Sequence, residues 1–321
     1  MQLEKSGLID DLERWNKMFL EDLKAKNYSN NTIKLYERAT FNFIEYMREF
    51  DEEMTMKTIK SFTISGYLHY LDSISRNDKL TISSKESYLK GIFGLFTFIS
   101  DNNDEFFTYE RILSKSRLKQ KQHKEDKIDF FTDLENARIN AWLKDKNIKL
   151  TRNLCNARLL IKFMLFSGLR VSEVLNLKFS DLKYQNDDIV TINIIGKGDY
   201  QQKAIISFSL IELEINFLEE NANSQDDYIF LTYSGKKIAR ESVYLKLNAI
   251  YRKLGIRELG CHVLRHTLAM NLVKKGVNIT TIKDILRHSS LNETQRYAKA
   301  EYSEVGKTII ENAKSIKAEN D

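Results

Sequence analysis

The stretch "CHVLRHTLAM", residues 261–270, is followed by "LRHSS" at 286–290, so Leu264-Arg265-His266 returns twenty-two positions later as Leu286-Arg287-His288. The 321-residue chain holds five histidines, and His262, His266 and His288 all fall here. A helical reading puts His262 and Arg265 three apart on one face, while Leu264, Leu268 and Leu272 point at a core. Gly276 marks the helix end, behind Lys274 and Lys275, cations suited to the negative end of a helix dipole. A histidine and an arginine side by side can grip one phosphate, because a guanidinium offers forked donors to two anionic oxygens.

The same residues invite a zinc reading, since His262 and His266 stand at i, i+4 next to Cys261. The Glu of a His-Glu-x-x-His site and any paired cysteines are missing, and Arg265 sets a cation where the metal belongs, so we expect no metal. His266 reads as a buried, hydrogen-bonded supporting residue. Further on, "SSLNETQRYAKA" (289–300) carries Ser290 and Glu293 in a capping-box pattern that starts a short helix. Tyr297 stands about two turns into it, beside Arg296. The chain has 15 tyrosines, so its position alone does not make Tyr297 a nucleophile.

Working back towards the N-terminus, "DIVTINIIGKGDYQQKAIISFS" (188–209) has two β-rich runs about Gly196-Lys197-Gly198 and predicts a hairpin with Lys197 on its tip. In "FSGLRVSEVLNL" (166–177) Gly168 ends one helix and Ser172 lies near the start of the next, which leaves Arg170 on a sharp corner with its head group free. Helical patterns also cover 130–143 and 152–177, the latter broken at Gly168. In the first 110 residues "LIDDLERWNKMFLEDL" (8–23) spaces Leu8, Leu12, Trp15, Phe19 and Leu23 as one apolar stripe. "NNTIKLYERATFNFIEYM" (30–47) repeats the pattern behind an Asn30-Asn31 pair able to cap it, and 63–74 and 83–99 complete about four helices. The chain has no proline, so Gly, Asn and Asp mark its turns.

Composition bounds the rest. A length of 321 residues suits two domains, and 42% hydrophobic content supplies the cores. No run of about 18 apolar residues predicts a membrane span, and the first residues lack the pattern of a signal peptide. Two cysteines, Cys155 and Cys261, argue against a disulfide scaffold and for a reducing, cytoplasmic setting. The net charge is +5, yet seven Lys/Arg against two acids crowd between Arg111 and Lys127, a pattern that suits either a polyanionic partner or a solvated linker.

Taken together, "SGLRVSE", the Gly-Lys-Gly hairpin, "HVLRH", "LRHSS" and "TQRY" resemble the signature of the tyrosine recombinases, the phage-integrase-like, Xer-type site-specific DNA recombinases. By that resemblance Arg170, Lys197, His262, Arg265, His288 and Tyr297 are the catalytic six, with Tyr297 the nucleophile and Glu173 a supporting acid. The resemblance implies a mainly α fold: a helical, DNA-clamping (SAM-like core-binding) domain over 1–112, a basic linker over 113–128, and a mostly helical catalytic domain with a small β-hairpin or sheet over 129–300. The tail, 301–321, would supply a helix with Val305, Ile309, Ile310, Ala313 and Ile316 on its apolar face, docked on the next protomer or on its own domain. Three departures stand out: Arg287 where the family commonly has Gly, Ala298-Lys299 where it often has Thr-His, and Cys261 where Pro often precedes the first histidine.

The implied chemistry is cleavage of one strand through a 3′-phosphotyrosyl bond with a free 5′-hydroxyl, then Holliday-junction exchange. His262 would be the base, His288 a donor to the phosphoryl group and Lys197 the acid for the leaving oxygen. Because the covalent link conserves the ester, no ATP, metal or other cofactor is expected. The implied partner is double-stranded DNA at a specific site, bound by a homotetramer on two duplexes, with room for a DNA translocase or other activator, in a nucleoid-associated setting. Lys34, Arg38, Lys85, Lys90, Arg117, Lys119 and Lys121 are candidate DNA contacts. Chromosome dimer resolution is the expected role; the alternatives are integration of a mobile element, a type IB topoisomerase, and a regulator using 262–290 as a helix-turn-helix.

Overall fold

The structure, a computed structural model, describes residues 1–49, 54–75, 79–118, 128–185, 188–195 and 201–301. Lys119, Lys121, Lys197 and the 302–321 part of the tail lie outside the described residues. The chain divides into two compact units, residues 1–123 and 124–321.

In the first unit the apolar stripes become helices because each must bury its face. Helices α1 (Leu8–Ala25), α2 (Asn30–Met47), α3 (Ser61–Ser73) and α4 (Ile82–Asn102) surround one core, and a short α5 (Glu110–Lys115) follows. Leu12, Trp15, Phe19 and Leu23 of the predicted stripe are buried with Phe43, Ile44 and Met47 of α2 and Ile92, Leu95, Phe96 and Ile99 of α4. Edge-to-face ring pairs such as Phe43–Phe96 and Phe43–Tyr67 fix their packing. The cap of α2 is Ser29, not the Asn30-Asn31 pair: its extended backbone lets the hydroxyl accept the Thr32 N–H, and Asn30 already opens the helix.

The second unit is built on α7 (Arg152–Phe166), in which ten residues are buried. Around it lie α6 (Asp133–Lys144), α8 (Val171–Leu175), α9 (Phe208–Glu219), α10 (Arg240–Lys253), α11 (His262–Lys274) and α12 (Ile279–Leu286), and a last helix, α13, covers 291–301. The predicted β runs form β2 (Ile189–Ile195) and β3 (Gln201–Ser207), paired antiparallel with Ile192 opposite Ala204. A strand not anticipated, β1 (Leu182–Tyr184), pairs antiparallel with β2 to give a sheet in the order β1-β2-β3. Val190, Ile192 and Ile194 turn one face of β2 into the core.

Helix α7 is tied to its neighbours by buried charge. Arg158 and Lys162, one turn apart, both meet the carboxylate of Glu214 on α9 at 2.6 Å, and the three side chains are all but fully buried. Lys162 donates an aligned hydrogen bond, whereas the Arg158 Nε contact is an ion pair without that alignment. Arg158 also caps the end of α6, donating to the carbonyls of Leu143 and Asp145. Burial pulls the Lys162 ammonium below its ordinary range, and the Glu214 hydrogen bond opposes that pull. Removing the one anion leaves two cations stranded in the core, so Glu214→Gln is expected to destabilise the second unit by about 3 kcal/mol or more. Guanidinium denaturation checks this; an unchanged midpoint would show that the triad carries no net stability.

Candidate active site

The predicted corner exists because Gly168 holds φ at +64°. A Cβ there would sit 3.0 Å from Leu286 and 3.1 Å from Leu268, so the turn has room for glycine alone. Two residues on, Arg170 is the N-cap of α8 in extended conformation. Its head group is not free as the corner suggested. The backbone N–H and Nη1 donate to the two oxygens of Glu173 at 2.7 and 2.9 Å, and Nη2 donates to the Arg287 carbonyl at 3.3 Å. The side chain nonetheless remains 42% exposed, so one edge still faces solvent. Burial pushes the Glu173 carboxyl up, but the Arg170 N–H and the Arg287 charge outweigh it and hold the acid below its ordinary range.

His262 and Arg265 part company despite their shared helix face. His262, at the first turn of α11, is exposed and its ring packs over Gly260. Arg265 is buried, and its guanidinium donates to the carbonyls of Gly168 and Leu286. It thereby bridges the turn after α7 and the end of α12, where unpaired carbonyls carry partial negative charge. Burial, with Arg170 and Arg287 adding like-charge repulsion, pulls it down to about 10, so it stays cationic at neutral pH.

At the end of α12, Arg287 takes the left-handed conformation, φ 54° and ψ 46°. This is where the family commonly has glycine, and a side chain costs on the order of 1 kcal/mol there. His288 follows, with Nδ1 at 2.8 Å from the Thr294 hydroxyl and Nε2 at 4.0 Å from Glu293. Helix α13 begins at residue 291, and the acid at its start is contacted by Ser289, at 3.0 Å, rather than by Ser290.

Tyr297 on α13 is 3% exposed and packs with Ile282 and Leu286. Its hydroxyl lies 2.7 Å from Nδ1 of His266, and its ring stacks near that of His288 at 6.2 Å between centroids. His266, read from sequence as a supporting residue, is thus the imidazole in contact with the phenol, while His262 stands one ring further out, 5.4 Å from His266. Burial raises Tyr297 above its ordinary range and Arg265 works against that rise. Burial lowers His266 to about 4, helped by His262, and lowers His288 to about 4, helped by Arg265. Both rings are therefore neutral at pH 7, able to accept a proton at one nitrogen and donate at the other.

Four of the six expected catalytic residues, Arg170, Arg265, His288 and Tyr297, thus gather about the ends of α7 and α12 with Glu173, while His262 stands further out beside His266; Lys197 lies outside the described residues. Among the described residues no three His, Cys, Asp or Glu side chains converge to hold a metal ion. In the first unit Lys34, Arg38 and Lys90 are exposed, as is Arg117. Lys85 is engaged with Asp72 at 2.6 Å and largely covered. No helix among the described residues is long and apolar enough to cross a membrane.

The model of the phage integrase family matches residues 131–304. Tyrosine recombinase XerC of Staphylococcus aureus is 25% identical over 308 residues, 94% of this chain and 97% of that protein. Tyrosine recombinase XerH of Campylobacter jejuni is 26% identical over 287 residues, 85% of this chain and 74% of that protein. Among solved structures, the XerH site-specific recombinase bound to palindromic difH substrate in a post-cleavage complex shares the fold with a TM-score of 0.81 at 20% identity, covering 96% of this chain and 98% of that one. A lambda integrase dimer bound to a COC′ core site gives 0.59 at 15% identity, covering 87% and 96%.

The two half-buried histidines make stability depend on pH. Each shifts from an ordinary value near 6.5 to about 4 in the fold. Below pH 6.5 the unfolded chain takes up protons that the native site refuses, so stability is full above that value and falls as pH drops towards 4. Thermal melts across that window are expected to show a shallower decline for the paired His266→Gln and His288→Gln variant; an unchanged slope would contradict the shifts.

Proposed function

The chain belongs to the phage integrase family and is a tyrosine recombinase of the Xer type, and on that footing we propose that Tyr297 is the nucleophile that cleaves one strand of a recombination-site duplex. The observation that carries this reading is the contact of Tyr297 with the two half-buried imidazoles beside Arg265, with the open edge of Arg170 close by.

Attack by the phenolic oxygen forms the Tyr297 Oη–P bond and breaks the bond from phosphorus to the 5′-oxygen. Charge that builds on the phosphoryl oxygens meets Arg170 and Arg265, cations already held in place before the substrate arrives. The phenol proton passes to imidazole. His262 is the base by its place in the motif, but the resting geometry puts His266 in contact, so His266 takes the proton first and His262 serves as the outer partner. His288 donates to the phosphate through Nε2, with Nδ1 held on Thr294. Lys197, by its place in the motif, protonates the departing 5′-oxygen. Exchange between two duplexes needs four such sites, hence a homotetramer on DNA, and the role we favour is resolution of chromosome dimers.

A nicked duplex carrying the recombination site traps the covalent stage, because the short strand beyond the cut diffuses away. The wild-type chain is expected to give a 3′-linked protein–DNA adduct on a denaturing gel. Tyr297→Phe should bind the duplex and give none, and Arg265→Ala should slow the adduct by roughly a hundred- to a thousandfold. An adduct from Tyr297→Phe would overturn the assignment.

A further inference from the structure

Arg287 does more at this site than end a helix. Its side chain is 5% exposed and turns back under the corner after α7. There Nη2 lies 3.0 Å from Glu173 Oε2 and donates to the Gly168 carbonyl at 3.0 Å, and Nη1 donates to the carbonyls of Ile285 at 3.0 Å and Ser167 at 3.4 Å. Two of these partners, Glu173 and the Gly168 carbonyl, also bear on a phosphate-binding arginine. Glu173 is the acid that holds Arg170, and the Gly168 carbonyl is one of the two that hold Arg265. The Arg287 carbonyl itself accepts from Arg170. Three guanidinium groups are thus oriented by one carboxylate and the turn carbonyls that lie between them.

We propose that Arg287 is a positioning residue of the strand-transfer site, aligning Arg170 through the shared Glu173 carboxylate and Arg265 through the shared Gly168 carbonyl. The inference rests on the reading of Arg170 and Arg265 as the phosphate clamp. Its physical basis is that a lone carboxylate beside an incoming phosphate both repels that phosphate and pulls Arg170 inwards. A second cation on Glu173 removes the uncompensated negative charge and leaves the outer edge of Arg170 free to engage. The same cation occupies the second lone pair of the Gly168 carbonyl, so the acceptor of Arg265 cannot swing. A glycine here would cap α12 with less backbone strain and supply none of this, which is why a strained arginine in this place calls for a function.

Arg287→Gly is the telling substitution, because it relaxes the backbone while deleting the guanidinium. We expect single-turnover adduct formation on the nicked duplex to fall roughly ten- to a hundredfold at saturating protein, with duplex affinity unchanged and the folded circular dichroism spectrum kept. Arg287→Lys, which retains the charge without the fork, should recover part of the rate. Combining Arg287→Gly with Glu173→Gln should slow the reaction by less than the product of the two single losses, since the route to Arg170 is shared through one carboxylate while the route through Gly168 is not. Wild-type speed in Arg287→Gly, or losses that simply multiply in the double variant, would overturn the proposal. If Arg287→Gly does not fold, the rate of Arg287→Lys decides: a loss at unchanged duplex affinity supports the role, and wild-type speed refutes it. Should the wild-type chain itself form no adduct, the strand-transfer reading falls first and takes this inference with it; an adduct indifferent to Arg287 sinks the inference alone.

Discussion

The buried guanidinium of Arg265, donating to carbonyls at the ends of two different helices, is the contact on which the site depends. An arginine out of water is costly unless its donors are met, and here the acceptors are Gly168 and Leu286. The first is available only because Gly168 takes a left-handed turn against Leu268 and Leu286. The second belongs to the helix end whose next two residues are Arg287 and His288. One side chain therefore welds the corner that carries Arg170 to the corner that carries His288. Helix α7, packed on every side and pinned to α9 by Glu214, keeps the first of those corners from shifting.

The charges around this weld are balanced in a way that favours an anion. Arg170, Arg265 and Arg287 face a single acid, Glu173, so the cluster is cationic before anything binds. The neighbouring imidazoles are held neutral by burial and by those same cations. Neutral rings keep lone pairs for proton transfer, whereas charged ones would only add to a field the arginines already supply. The phenol of Tyr297 sits between the two demands, raised by burial and lowered by Arg265.

Much of this could be read from residue order alone, wherever the cause is local. The stripes of α1, α2 and α4, the Gly168 corner and the β2–β3 hairpin follow from spacing and glycine, which act within a few residues. What was missed acts over distance or over too few residues. Strand β1 has three residues, too short to show a period of two. The pairing of Lys85 with Asp72, thirteen positions apart, depends on how α3 meets α4. Arg170 looked unengaged because its second partner, Arg287, is more than a hundred positions downstream. His266 was given a minor part since nothing in its spacing revealed that Tyr297 would reach it, although a third histidine on the helix that bears Arg265 was the available signal. Ser29 rather than Asn30 caps α2 because a cap is chosen by backbone angle as much as by residue type.

Tyr297, the proposed nucleophile, is almost entirely covered, its oxygen occupied by His266. A phenol stored in that state is quiescent: stray electrophiles and water find little surface to meet. On the proposed mechanism, reaction then awaits a phosphate brought to this hydroxyl, with His266 kept in place to take its proton. For a protein whose business is severing strands, such latency is a safeguard written into the resting conformation.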